Sequence, residues 1–214
     1  MKRLFVLICL FTTLSLQAQN MKELFVAMPD TLLPLLTKVN REDFGDFLAS
    51  NMKAKVRNRF GKTSEMTVLT ENYLQVDMTS VSSLEMKLLP LNDSLNVICM
   101  VQTYRAPVAD SQIRFYDTDW HPMEVSRFIT LPDDSLFFRK PANEVQADSL
   151  RNLRAHADIS LREARLSADS CTLSFRYTTP RYLDKTTAGE LERYLVREPL
   201  RYVWMENRFI RSAE

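Results

Sequence analysis

Apolar and polar positions between residues 21 and 60 repeat with the period of an α-helix. Asp30 is placed to cap a first helix, and Pro34 falls near its start, where a proline is tolerated. Asn40 marks the start of a second helix. One face of that helix is apolar and is made by Phe44, Phe47, Leu48 and Met52. The pattern predicts a helical N-terminal segment.

From Ser64 onward, the spacing of apolar residues changes to a period of two. This alternation is typical of strands that bury one face. Turn residues such as Asn92 and Asp93 separate the predicted strands. The strands fall within residues 66–78, 84–88, 95–104 and 113–116. The pattern predicts an antiparallel meander.

The second half of the chain repeats this order of a helix followed by strands. A helix is predicted to begin near Asn143, after a short strand formed by Leu136, Phe137 and Phe138. Another helical segment is expected within residues 186–195. Further strands are predicted at residues 159–166, 171–177 and 200–205.

Whole helical blocks therefore alternate with hairpin-rich blocks, which favours an α+β fold over a doubly wound parallel sheet. We expect residues 19–130 to form the helical segment and the meander. Residues 131–214 are expected to form a second unit packed into the same globule. Asp93 and Asp169 both lie in turns before apolar strands. Two explanations stay open: a duplication that gives two similar helix-plus-meander units, or the turn chemistry that unrelated hairpins share.

Residues 1–18 have the order of a secretory signal peptide. Lys2 and Arg3 precede an apolar run that extends to Leu16, and Ala18 supplies a small residue for cleavage. The run is shorter than the roughly 20 apolar residues of a membrane-spanning helix. We predict cleavage after Ala18, export to the periplasm or cell envelope, and no membrane span after cleavage. A retained anchor is the alternative.

The charge balance gives no electrostatic footprint for nucleic acid. The chain has 28 basic and 27 acidic residues, and two of the basic ones lie in the predicted signal peptide. The one basic cluster suits a solvated helix end better than phosphate contacts, and it comprises Lys53, Lys55, Arg57, Arg59 and Lys62. The three glycines are isolated, so no glycine-rich phosphate loop is present in the sequence. We predict no nucleic-acid partner and no cofactor.

Two cysteines follow the predicted signal peptide, Cys99 and Cys171, and each lies in an apolar, strand-like segment. An oxidising compartment would permit one disulfide between them. The alternative is two buried thiols that pack as small hydrophobic residues. We predict free buried thiols, because a chain of this length needs no covalent staple.

No spacing in the sequence matches a known catalytic constellation. The two histidines, His121 and His156, do not form a zinc motif, and no serine lies in G-x-S-x-G. Asp117, Asp119 and His121 alternate, so a strand would place all three on one face. That arrangement could bind a cation, but a polar hairpin end is favoured. We therefore predict neither catalytic nor metal-binding residues.

Large aromatic residues near predicted turns are the candidate interaction sites. Trp120, His121, Phe137 and Phe138 are the candidates, because aromatic residues are enriched at binding hot spots. Packing in the core is the alternative for each aromatic ring. Trp204 lies in a continuous predicted strand and is expected to be buried, whereas Trp120 follows polar residues and is expected at an exposed sheet end.

A long ordered series of residues resembles an uncharacterised family of exported proteins from Bacteroides-type bacteria. The series begins with Met28-Pro29-Asp30 and continues through Leu33-Pro34, Asn40-Arg41, Asp46-Phe47, Ser50-Asn51-Met52-Lys53-Ala54, Phe115-Tyr116 and Thr118-Asp119-Trp120. It covers most of the chain after the predicted signal peptide. The family is a domain of unknown function, so the resemblance implies a compartment and a lineage but no site residue.

These observations favour an exported, non-catalytic binding or protein-interaction module whose partner is an unknown protein or peptide of the envelope. An envelope hydrolase with serine or carboxylate chemistry is the alternative, and a structural envelope component is a third. A pocket that holds His121 or His156 beside a serine and a carboxylate would favour the enzyme. A grooved aromatic patch would favour binding.

Overall fold

The computed structural model describes residues 20–212, so the predicted signal peptide lies outside the described residues. The described chain contains five α-helices: α1 Met21–Ala27, α2 Lys38–Ala49, α3 Val125–Phe128, α4 Glu144–His156 and α5 Lys185–Glu192. Within residues 20–212, no helix combines the length and the apolar composition needed to cross a bilayer.

Two antiparallel sheets account for the strands. Sheet A follows chain order through β1 Ala54–Arg57, β2 Thr63–Leu69, β3 Tyr73–Thr79, β4 Ser82–Pro90, β5 Asn96–Tyr104, β6 Asp110–Tyr116 and β7 Pro122–Met123. Sheet B contains β8 Arg162–Leu166, β9 Thr172–Tyr177, β10 Leu200–Met205 and β11 Arg208–Arg211, in the order β11-β10-β9-β8. The predicted α+β class with antiparallel sheets is confirmed.

The N-terminal segment is less helical than its apolar spacing predicts. Residues 28–37 form turns between α1 and α2, so Pro34 lies outside a helix, and residues 54–57 form a strand. Helix α2 is capped by Thr37, and Asn40 closes the capping box from the third helical position. The predicted helix start at Asn40 is therefore three residues late.

A buried arginine explains why residues 28–37 turn instead of continuing a helix. The guanidinium of Arg41 donates to the carbonyl oxygens of Met28 at 2.6 Å and Leu36 at 3.0 Å. It also bonds Asp30 at 3.0 Å, so Asp30 is an arginine partner and not the predicted helix cap. These bonds satisfy backbone oxygens that a helix would satisfy internally.

In the second half, the helix predicted near Asn143 is confirmed, because Asn143 caps α4 through the Gln146 amide. The short strand predicted at residues 136–138 is wrong. Residues Asp134–Phe137 form a 3₁₀ helix capped by Asp133, whose carboxylate accepts from the Ser135 amide. The Asp side chain therefore starts a helical turn where the apolar run alone predicts extended backbone.

The centre of sheet A is buried on both faces, and alternate residues of β4 pack on opposite sides. Leu84, Met86 and Leu88 belong to a cluster that α1 and α2 cover, together with Phe25 and Phe44 of those helices. The intervening β4 residues are also buried and face sheet B: Ser83, Glu85, Lys87 and Leu89. The molecule therefore has three layers: helices, sheet A and sheet B.

The cluster between the two sheets takes residues from both predicted units, for example Phe115 from 19–130 and Phe175 from 131–214. The sheets have seven and four strands among the described residues, and the suggested duplication stays a prediction. Both Cys99 and Cys171 are free, as predicted. Cys99 is buried, whereas Cys171 is only partly buried, unlike the prediction.

Candidate functional site

The four candidate interaction residues lie in two separate places. Trp120 and His121 occupy the connection between β6 and β7, where Trp120 lies on the helix-covered side of sheet A and His121 is exposed. Phe137 and Phe138 lie next to sheet B, between α3 and α4.

Trp120 is buried, and the expectation that it is an exposed anchor is wrong. Its side chain is 7% exposed and belongs to the cluster beneath α1 and α2. The indole Nε1 donates to the Leu24 carbonyl at 3.2 Å, and the ring lies 5.5 Å from the Tyr116 ring. A left-handed backbone at Trp120, with φ 68°, ends the hairpin, and the ring packs back against α1. Trp204, by contrast, is only partly buried.

Asp117, Asp119 and His121 form the polar hairpin end that the sequence favours. The Asp117 Oδ1 atom accepts from the amides of Asp119 and His121, each at 2.9 Å, and its Oδ2 atom lies 2.9 Å from His121 Nδ1. Ligand atoms of all three lie within 4.8 Å of one another. The Asp117 carboxylate is therefore used by the turn itself.

The charge states of this pair follow from the same contacts. The hydrogen bond that the His121 ring donates to the Asp117 carboxylate raises the pKa of His121 above its usual value, although the His121 side chain is 76% exposed. Desolvation acts to raise the pKa of Asp117, but the hydrogen bonds from His121 and Asp119 outweigh it and lower that pKa. His156 is exposed, and its Nδ1 contacts the Asn152 carbonyl oxygen. Neither histidine bonds a serine hydroxyl in the part of the chain that the structure describes.

Phe137 and Phe138 are held together by a shared aromatic partner. Each ring centroid lies 5.5 Å from that of Tyr177 on β9, Phe137 stacked and Phe138 edge-on. The Arg154 guanidinium lies 5.1 Å from the Phe138 centroid, in a cation–π arrangement. Phe137 is buried and Phe138 only partly so. Phe137 is therefore core, and Phe138 connects the core to a charged surface.

Backbone hydrogen bonds hold this aromatic group against the segment that follows α5. The Val196 amide donates to the Phe137 carbonyl at 2.8 Å, and the Arg139 amide donates to the Tyr194 carbonyl at 2.7 Å. The Arg139 side chain also donates to the Arg193 carbonyl. This pairing fixes the start of α4 beside the end of α5.

A cleft of about 550 Å³ lies between these two helices. Its cationic lining consists of Arg139, Lys140 and Arg193, and Glu190 is the acidic side chain among its lining residues. Pro141, Ala142 and Leu153 supply the apolar part of its lining, and Gln146, Ser149 and Tyr194 add polar groups. A second cleft of about 460 Å³ shares Pro141 and contains Arg151, Arg154 and Asp134.

This pair of clefts is the candidate site, because cations outnumber acids in both and the aromatic group lies beside them. Arginine presents a planar fork of donors that matches a carboxylate. The site therefore has the chemistry to bind anionic groups.

Sequence reasoning found Phe137 and Phe138 but missed the basic residues around them. Arg139 and Lys140 are adjacent to the aromatic pair in the sequence, which is a local signal. Arg193 joins them only because α5 packs against α4, and no sequence spacing indicates that contact.

Comparison with known proteins identifies the family to which this chain belongs. The model of a family described as a protein of unknown function, DUF3256, matches residues 13–209. The chain belongs to this family. It is also similar to a solved structure, a domain of an uncharacterized protein from Porphyromonas gingivalis W83, with 31% identity and a TM-score of 0.80. That match covers 92% of this chain and 100% of the solved chain.

No curated protein matches the chain. The DUF3256 family brings no activity with it, and the solved relative is itself uncharacterized. Functional inference therefore depends on the geometry of the described residues.

Proposed function

We propose that this DUF3256 protein is an exported, non-catalytic binding module of the cell envelope that takes an acidic peptide segment of a partner protein into the cleft between α4 and α5. The observation that carries the proposal is the lining of that cleft, which combines Arg139, Lys140 and Arg193 with apolar residues. Carboxylates of the peptide would meet the cations, and its apolar atoms would meet Ala142 and Leu153.

The polar groups of α4 favour a peptide over a simple inorganic anion. Gln146 accepts the Ala142 amide through its side-chain oxygen, so its amide nitrogen is available to donate. Ser149 follows one helical turn later and also lines the cleft. Backbone amides of a peptide offer partners for both groups.

Binding of a fluorescent decaglutamate peptide, measured by anisotropy at low ionic strength, tests the site. The double variant Lys140→Glu with Arg193→Glu is expected to weaken binding by about tenfold or more, since it reverses two contacting charges. The double variant Lys53→Glu with Lys62→Glu is the matched control, because both residues are exposed, lie at the edge hairpin of sheet A and do not line the cleft. A decaglutamine peptide should not bind. Unchanged affinity in the double variant would refute the assignment of the cleft.

Export is tested separately on native protein. N-terminal sequencing of protein from an envelope fraction is expected to begin close to Gln19, since signal peptidase cleaves after small residues. Intact Met1 on a cytosolic species would contradict export without bearing on the cleft.

A further inference from the structure

Three hairpin turns emerge at one end of sheet A, and an exposed large apolar side chain lies in or beside each. Consecutive antiparallel strands place the β1–β2, β3–β4 and β5–β6 connections at the same end. Phe60, Val81 and Tyr104 lie there, with exposed fractions of 82%, 45% and 56%. The Arg105 amide donates to the Val81 carbonyl at 2.7 Å, which confirms that the second and third turns are adjacent.

The turn that carries Phe60 is held rigidly although its side chain packs on no core. Buried Asn58 accepts the amides of Phe60 and Lys62 through Oδ1, both at 3.1 Å, and its Nδ2 donates to Ser64 Oγ at 3.0 Å. Gly61 takes φ 71°, which a side chain would strain. The fold therefore holds an exposed aromatic ring on an ordered turn. Because that backbone is already ordered, binding a partner there would cost little further conformational entropy.

The charges around this turn are cationic. Arg57 and Lys62 form no ion pair among residues 20–212. Two nearby carboxylates form ion pairs: Asp30 pairs with Arg41 and Arg59, and Glu163 pairs with Arg105. Asp110 accepts the Arg162 amide but stays an exposed carboxylate opposite Tyr104, so the cationic charge is concentrated at the turn that carries Phe60. Asp77 is partly buried within β3.

We propose that this hairpin end, comprising Phe60, Val81 and Tyr104 with Arg57 and Lys62, docks on an anionic lipid surface. Phe60 would enter the boundary between headgroups and acyl chains, and Arg57 and Lys62 would meet anionic headgroups. Neighbouring strands lie roughly 4.8 Å apart, so alternate hairpins place the three apolar side chains along a line of about 20 Å. A row of that length suits a flat surface better than a single pocket.

The proposal is independent of the peptide cleft, whose residues belong to α4, α5 and the connections next to them. The two proposed surfaces share no residue, so lipid docking and peptide binding can fail separately.

Vesicle binding of the full chain tests the hairpin end. Co-sedimentation with vesicles of phosphatidylcholine and phosphatidylglycerol is compared with that of phosphatidylcholine vesicles alone. Phe60→Ser is expected to lower the partition coefficient on anionic vesicles by about tenfold, from the loss of one buried aromatic ring. Val145→Ser is the matched control, because Val145 is 75% exposed on α4. Equal unfolding midpoints for the two variants show that folding is not the cause.

A second measurement tests whether the hairpin end itself contacts the vesicle, independently of any vesicle binding by residues 1–18. Phe60→Trp emission is expected to shift to shorter wavelength on anionic vesicles, while Val145→Trp emission stays unchanged. An unshifted Phe60→Trp spectrum, or wild-type binding by Phe60→Ser, overturns the proposal. A Phe60-dependent dimer in sedimentation equilibrium without vesicle binding also overturns it, and assigns the surface to a second copy of the chain.

Discussion

At the centre of sheet A both faces are buried, but different elements cover them. On one face, α1 and α2 contribute Phe25 and Phe44 to an apolar cluster. On the other face, β8 crosses sheet A, and polar side chains of sheet A bond its backbone. The Glu85 carboxylate accepts the Leu166 amide at 2.7 Å, and Ser111 Oγ accepts the Ala164 amide at 2.9 Å.

The difference follows from the backbone of the covering element. A helix satisfies its backbone groups internally, so apolar contact is enough to bury it. Strand β8 is an edge of sheet B, and its outward amides and carbonyls need other partners. Lys87 makes a similar contact just after the end of β8, because its ammonium donates to the Ala168 carbonyl at 2.8 Å. The buried charges of β4 therefore let an edge strand lie on a sheet.

The largest expected effect tests the helix-covered face. Trp120→Ala should lower the free energy of unfolding by about 3–5 kcal/mol, because it empties a buried site and leaves the Leu24 carbonyl without its donor. Trp204→Ala should cost less, since Trp204 is partly exposed. Urea unfolding of both variants measures the difference. A larger loss for Trp204→Ala would restore the order that the sequence predicts.

The polar face is tested by removing one acceptor. Glu85→Ala leaves the Leu166 amide unpaired and should cost about 1–3 kcal/mol, whereas Glu85→Gln keeps an acceptor oxygen and should cost less. The same urea titration compares them. Equal losses would mean that the carboxylate charge, and not the hydrogen bond, matters at this contact.

Glu85 should also give the stability of this face a pH dependence. Desolvation raises its pKa from an ordinary value of about 4.5. The folded state therefore holds the proton more tightly, and the free energy of unfolding falls as pH rises from 4.5 to the folded pKa, by at most about 1.4 kcal/mol per pH unit. Glu85→Gln should flatten the slope in that window. A slope that is the same in both proteins would assign the titration to other groups.

A smaller loss is expected at the neighbouring contact. Ser111→Ala should cost about 1–2 kcal/mol, because the hydroxyl loses the hydrogen bond from the Ala164 amide and the one that it shares with Thr103 Oγ1. Ser80→Ala, at an exposed turn position, is the control and should change stability by less than about 0.5 kcal/mol. Hydrogen exchange at the Ala164 amide should rise in Ser111→Ala, and unchanged exchange would argue against the contact.

The smallest effect is expected outside both faces. Phe60→Ser should change the free energy of unfolding by less than about 0.5 kcal/mol, because the ring is 82% exposed. Thermal unfolding checks this value. A loss above about 1 kcal/mol would show that Phe60 packs on the fold, and the hairpin end would then not be free to dock.

The periodicity of the sequence determined the class of the fold, because alternation along strands such as β3 and β4 is a local property. Tertiary contacts decided the rest. The apolar spacing at residues 32–36 predicts a helix, but the segment forms turns whose ends are held by hydrogen bonds from Arg41 to the Met28 and Leu36 carbonyls. Trp120 looks exposed beside polar neighbours, but it packs on α1.

The candidate site was also only partly predictable from the sequence. The aromatic pair Phe137 and Phe138 was identifiable from composition beside a turn, and the adjacent basic residues Arg139 and Lys140 are visible in the sequence. Arg193 joined them only through the packing of α5. Local spacing specifies which face of an element is apolar, whereas a cleft between two helices depends on residues far apart in the chain, which only the folded structure brings together.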